Sequence, residues 1–210
     1  MGGVILGATV GIIFMLIFRR YVNIRMAMDF IIPGILIAQA IGRWGNFFNH
    51  EVYGSLELAI NDVWWLPNFI KQQMATNFSN PTMMYLPLFL IEGLTNIAGY
   101  FIIVYGIGKP LKKHLSLGDL SFLYISWYGL TRVVMEPLRY GEFEYGNSYI
   151  TAWVMFGGGF LAIIAAHLYD YLRFGKRTFK LELQNADPRF NNPKNPYYVK
   201  PVENNETVKN

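Results

Sequence analysis

The chain has 210 residues, 53% of them hydrophobic and only 15% charged, with a mean hydropathy of +0.24. That balance excludes an ordinary water-soluble domain, and the absence of cysteine excludes disulfides, thiolate metal sites and a protein thiol nucleophile. A net charge of +4 does not indicate a nucleic-acid partner, because the basic residues are segregated by loop.

Apolar runs near the span length of about 20 residues predict five transmembrane helices, at residues 2–18, 30–42, 85–108, 117–135 and 149–169. The expected fold class is all-α, a polytopic transmembrane helical bundle. Residues 1–174 form the transmembrane domain and 175–210 a disordered cytosolic tail. In the first run Gly3, Gly7 and Gly11 form a ladder of small residues that predicts close approach of a neighbouring helix. Arg19 and Arg20 follow this run and do not precede it, so it reads as a span and not as a cleavable signal peptide.

The second run, "FIIPGILIAQA", leads into "GRWGNFFNHEVYG", where Arg43 and Asn46 share a helical face and Asn49 and His50 lie one turn further. Residues 55–80 are too polar to span. Trp64, Trp65 and Phe69 suit a membrane–water interface, so this segment is expected to be an interfacial arm on the outer surface. In the fourth run, "YGLTRVVMEPLR" places Tyr128, Arg132, Glu136 and Arg139 at i, i+4, i+8 and i+11, along one helical face. Pro137 directs the helix to end or kink at Glu136. Beyond residue 174 the chain is rich in Asn, Pro and Lys, with little to bury.

Most of the 18 Lys and Arg residues fall at 19–25, 109–113 and in the tail, which the positive-inside rule assigns to the cytoplasm. Met1 is then outside, and residues 49–84 and 137–148 face outward. A charged side chain at bilayer depth costs about 2.5–3.5 kcal/mol on insertion scales unless paired or hydrated. Arg132 with Glu136 has two readings, a structural ion pair or part of the functional site, and Arg139, which Glu136 can hardly neutralise as well, is either an interface residue or part of an anion site. Arg43, Arg132 and Arg139 are expected to meet at one depth, where a phospholipid headgroup is the common multivalent anion.

These two stretches carry a family resemblance. "GRWGNFFNHEVYG" resembles the G-R-x-G-N-F-x-N-x-E-x-x-G signature of prolipoprotein diacylglyceryl transferases, and "YGLTRVVMEPLR" is similar to that family's Y-G-x-x-R-x-x-x-E-x-x-R element. "GGVILG", "MDFIIPG" and "NPTMMY" extend the resemblance through about residue 172. It implies a bacterial cytoplasmic-membrane enzyme that moves the diacylglyceryl group of phosphatidylglycerol onto the lipobox cysteine of a prolipoprotein. Neither metal nor cofactor is implied. Carried over by position, Arg43, Glu136, Arg132 and Tyr128 are the expected catalytic residues. Arg43, Asn46, Asn49, Glu51, Gly54 and Arg139 are expected to bind the lipid. Glu51 has two readings, an acid or base and a cap of the adjacent chain.

The chain also departs from the pattern. Met1 stands before Gly2 and Gly3 where the family has histidine, Asn80 and Leu86 replace a histidine and a glutamate, and about two upstream spans are missing. The expectation is a chain shortened at its N-terminus. His50 is a substitute base by its ordinary pKa or else a solvated interface residue, while His114 and His167 fall on the cytoplasmic side. The rival readings are an inactive or partial fragment and a transporter with an intramembrane anion site.

Overall fold

The computed structural model describes residues 24–51, 53–111, 114–139 and 145–174, with helical residues 6, 7, 9–11, 13, 14 and 17 ahead of them. Most of the predicted first span, and all of the predicted tail, lie outside the described residues. Within them the chain runs α1 (Ile24–Ile31), α2 (Ile35–Phe48), β1 (Glu57–Ala59), α3 (Asn68–Gln73), β2 (Met83–Tyr85), α4 (Leu88–Phe101), α5 (Asp119–Met135) and α6 (Tyr145–Phe174).

Helices α1 and α2 form one bent rod. Pro33 has no N–H to give, and across it the hydrogen bonds shorten to three-residue steps, Gly34 N to Ile31 O at 3.1 Å and Leu36 N to Pro33 O at 3.1 Å. The rod, Ile24–Phe48, is 25 residues long and apolar enough to cross a membrane. It is longer at both ends than the predicted 30–42, because Asp29 and Arg43 do not interrupt it. Asp29 is buried and accepts hydrogen bonds from Gly118 N (2.9 Å), Ser121 N (3.0 Å) and Ser121 Oγ (3.0 Å). It thereby supplies acceptors to the otherwise unpaired N–H groups that open α5.

Among the described residues, two further helices are long and apolar enough to span, Leu88–Gly108 and Ser148–Tyr169. The first is α4 continued through a π-helix, Ile102–Gly108. At 17 residues, α5 is shorter than a span of about 20. Large apolar side chains such as Phe30, Ile41, Val154, Leu161 and Ile164 are exposed on these helices, as a surrounding lipid solvent requires.

Of the predicted glycine ladder, Gly3 lies outside the described residues. A Cβ on Gly7 or Gly11 would meet nothing within 4 Å. The intimate contact is instead between α5 and α6, where a Cβ on Gly129 would collide with the Phe156 backbone and one on Gly159 with Ser126. Ser126 Oγ crosses this seam to Phe156 O at 3.0 Å. On the other flank of α5, a Cβ on Gly99 of α4 would run into the Trp127 ring. Small residues let helices touch along their backbones in a membrane, where dispersion replaces the hydrophobic drive.

Between α2 and α4 the chain folds back on the helix ends, which the all-α expectation did not foresee. β1 and β2 pair antiparallel, Glu57 with Tyr85, Leu58 with Met84 and Ala59 with Met83. They enclose α3, and Val63, Leu66, Ile70, Met74 and Met84 pack onto Phe47 of α2 and Phe89 of α4. The segment read from its composition as an arm is therefore a small cap with a core of its own. Trp64, Trp65 and Phe69 do remain exposed, at 82%, 60% and 54%. Tyr53 stacks on Tyr85 at 5.3 Å, and burial, helped by Tyr85 and Glu51, pushes its phenol above the usual range.

A Gly129→Val substitution should wedge α5 from α6 and destabilise the protein by about 1–3 kcal/mol. The expected readout is a lower unfolding midpoint in detergent, with Gly7→Val, which meets no neighbour, as the comparison.

Candidate functional site

Three elements bring their charges to one end of the bundle. Arg43 lies just over one turn from the end of α2, Glu92 just over one turn into α4, and Arg132 to Arg139 close α5 and the 3-10 turn Glu136–Leu138 after it. The antiparallel run of α2 and α4 makes these depths coincide. Helix α5 ends there because Pro137 cannot carry the helical pattern on, as its position predicted.

Glu92 is the centre of the arrangement. Only 6% exposed, its Oε2 lies 2.5 Å from Arg43 Nε and its Oε1 accepts a hydrogen bond from Arg139 Nη2 at 2.9 Å. A second carboxylate, Glu136, accepts from Arg132 Nη1 at 3.2 Å and from Ser148 Oγ of α6 at 3.0 Å. Arg132 Nε also donates to Tyr128 Oη at 3.1 Å, and its guanidinium lies 5.5 Å from the centre of the Tyr128 ring. Tyr128 in turn stacks on Tyr124, whose hydroxyl accepts from Gln39 of α2 at 3.0 Å.

Arg43, Glu92, Asn96, Tyr128, Thr131, Arg132 and Met135 line a narrow recess of about 10 Å³, room for about one water molecule. On the far side of Tyr128 and Arg132 a second, larger recess, about 370 Å³, opens between α5 and α6 with Ser148, Thr151, Ala152 and Met155 in its wall. Arg132 thus faces two spaces. Arg43 meets Glu92 through Nε and lines the first recess, where the five-donor fork of a guanidinium suits an anion.

Of the residues expected from the sequence, Arg43, Arg132, Arg139, Glu136 and Tyr128 are brought together. Gly54 joins them through the backbone. It forms a bridge with Arg139, and Ser55 N donates to Leu138 O at 2.7 Å, which ties one motif to the other. A Cβ at Gly54 would stand 2.5 Å from Leu86 Cβ, so only glycine fits. Asn46, Asn49 and Glu51 do not line either recess. Asn46 is half-buried and its carbonyl accepts Glu51 N at 2.9 Å, Asn49 caps α2, and Glu51 is exposed.

His50, weighed as a substitute base, is held elsewhere. It adopts a positive φ of 55° as the chain leaves α2, packs edge-on against Phe78, and has its Nε2 2.8 Å from Gln73 Nε2. His167 lies at the other end of the bundle against Asp119, 2.7 Å away.

Glu92 and Asn96 were missed, although a lone glutamate in the apolar run "LFLIEGLTNIAGY" is itself a signal. An ionisable residue at membrane depth marks a site unless it has a structural partner. Leu86, which stands where the family pattern has its glutamate, is not an ionic partner. The carboxylate that meets the arginines is one α-helical segment further on.

This geometry defines a helical membrane protein with a network of arginines and carboxylates gathered at one end of its bundle. The sequence model for prolipoprotein diacylglyceryl transferases matches residues 1–169, and the chain belongs to that family. Proteins named phosphatidylglycerol–prolipoprotein diacylglyceryl transferase are similar to it. That of Mycoplasmopsis pulmonis is 36% identical over 75% of this chain and 49% of its own length. The Streptococcus agalactiae protein is 37% identical over 73% and 55%, and the Staphylococcus aureus protein 40% identical over 66% and 46%. The chain spans about half the length of these curated relatives. No solved structure matches it.

Replacing Gly54 with alanine should strain the cap against Leu86 and break the register that holds Arg139. The expected loss is about 1–3 kcal/mol of stability, measured as a lower yield of monodisperse protein and a lower unfolding midpoint.

Proposed function

We propose that this chain transfers the diacylglyceryl group of phosphatidylglycerol to the lipobox cysteine thiol of a prolipoprotein, the first step of bacterial lipoprotein modification. The observation that carries the reading is the convergence of three arginines at one end of the bundle, Arg43 and Arg132 lining one recess and Arg139 sharing the Glu92 carboxylate with Arg43. Family membership supports it independently.

Arg43 and Arg139 hold the phosphodiester, and Arg132, oriented by Glu136 and Tyr128, meets the charge that grows as the bond breaks. The substrate sulfur attacks the glycerol carbon. A sulfur–carbon bond forms and the carbon–oxygen bond breaks, its electron pair staying with the phosphate oxygen. The thiol proton balances that charge, so glycerol phosphate leaves and a thioether remains. Fixed guanidinium donors in a site sheltered from water are suited to this chemistry, because they need no reorganisation at the transition state. Asn46 serves at the rim as a hydrogen-bonding partner of the headgroup, with Asn49 and Glu51 on the exposed side.

The positive-inside distribution supports five spans in the bacterial cytoplasmic membrane, with the cap over residues 55–80 outside and the tail 175–210 in the cytoplasm. Lipobox cysteines arrive at the outer leaflet, the side on which this topology places the arginine network.

Membranes bearing the full chain should transfer labelled diacylglyceryl from phosphatidylglycerol to a lipobox peptide. Arg43→Ala should lower that rate by about 100-fold or more while the protein stays inserted. Equal labelling of the peptide by Arg43→Ala would overturn the assignment.

A further inference from the structure

The carboxylate of Glu92 bridges two guanidiniums in the way that the two free oxygens of a phosphodiester would. One oxygen goes to each arginine, at 2.5 Å to Arg43 and 2.9 Å to Arg139. The groups around it come from every neighbouring element. Arg43 stands on α2, Tyr128 and Arg132 on α5, Arg139 beyond the 3-10 turn and Asn96 one turn along α4 itself. Arg43 lies within electrostatic reach of Arg139 and Arg132, and Arg132 within reach of both Glu92 and Glu136. The network therefore behaves as one charge, and removing any member changes what the recess prefers to hold.

This charge matters because the proposed reaction changes the charge class of its phosphate. A phosphodiester carries one negative charge. The phosphomonoester released carries up to two, since its second ionisation falls near pH 6 by analogy with phosphorylated side chains, about 6. We propose that Glu92 is a specificity-determining residue: its carboxylate makes the recess one unit less positive, which favours a singly charged phosphodiester over a doubly charged phosphomonoester. The inference rests on the reading that this recess takes a lipid phosphate. Its consequence is that substrate is retained in preference to the leaving phosphomonoester. Asn96, neutral and in the same wall, has a place in this balance as the position where a second carboxylate would act in the same direction.

The test compares two lipids that share their tails and differ in this charge, phosphatidylglycerol and phosphatidic acid, competing for the full chain in nanodiscs at pH 8. The unaltered protein should prefer phosphatidylglycerol. Glu92→Gln, which keeps the shape of the side chain and removes its charge, should raise the ratio of phosphatidic acid to phosphatidylglycerol affinity by about tenfold or more. Glu92→Asp, charge intact, should keep the original ratio. Asn96→Asp should lower the ratio, and this keeps the proposal testable where Glu92→Gln fails to give a monodisperse protein. An unchanged ratio in Glu92→Gln, or a raised one in Asn96→Asp, would overturn the inference and leave the proposed function standing. Failure of the unaltered protein to bind either lipid would instead overturn the proposed function.

Discussion

One buried carboxylate between two guanidiniums organises this end of the molecule. Charges at membrane depth are tolerated only when each finds a partner, and Glu92 answers for Arg43 and Arg139 at once. Those partners come from α2 and from the segment after α5, so the pairing also fixes how three parts of the chain meet. A buried ion network is not in itself a source of stability, since desolvation offsets most of the attraction. What it provides is a defined arrangement of guanidinium groups that is present before any ligand arrives.

The arrangement is braced from two directions. From outside, the cap packs Val63, Leu66, Ile70 and Met74 onto Phe47 and Phe89, residues that lie four positions after Arg43 and three before Glu92. Gly54 then ties the cap's first bridge to Arg139. From within the bundle, Ser148 of α6 holds Glu136, which holds Arg132, and the glycine contacts at Gly129 and Gly159 set the distance between those helices. Each guanidinium is thus positioned by a different piece of the architecture.

The opposite end of the bundle uses carboxylates for another purpose. Asp29 caps the start of α5, Asp119 accepts from Ser116 N at 2.6 Å, and His167 reaches Asp119 from α6. These contacts satisfy backbone N–H groups that a helix start leaves without partners. They hold α1, α5 and α6 in register from below, while the recess with its arginines lies at the other end of the same helices.

Much of this was legible in the residues themselves. Apolar run length announced a membrane bundle, and the spacing of Tyr128, Arg132, Glu136 and Arg139 announced one polar face, because helical periodicity is a local property of the chain. The gapped polar signatures named the family. Other features depended on contacts between segments far apart in sequence. Gly3, Gly7 and Gly11 look like a packing ladder, while among the described residues Gly129 and Gly159 make close contacts, since a small residue matters only where another backbone arrives. Residues 55–80 read as a polar arm until Phe47 and Phe89 supply the core around which they fold. Glu92 was one charge in a hydrophobic run, and only the meeting of α2, α4 and the end of α5 made it the partner of two arginines. The sequence determines which residues cannot remain alone in a membrane; the tertiary structure decides which of them neutralise one another, because that choice depends on distance through space.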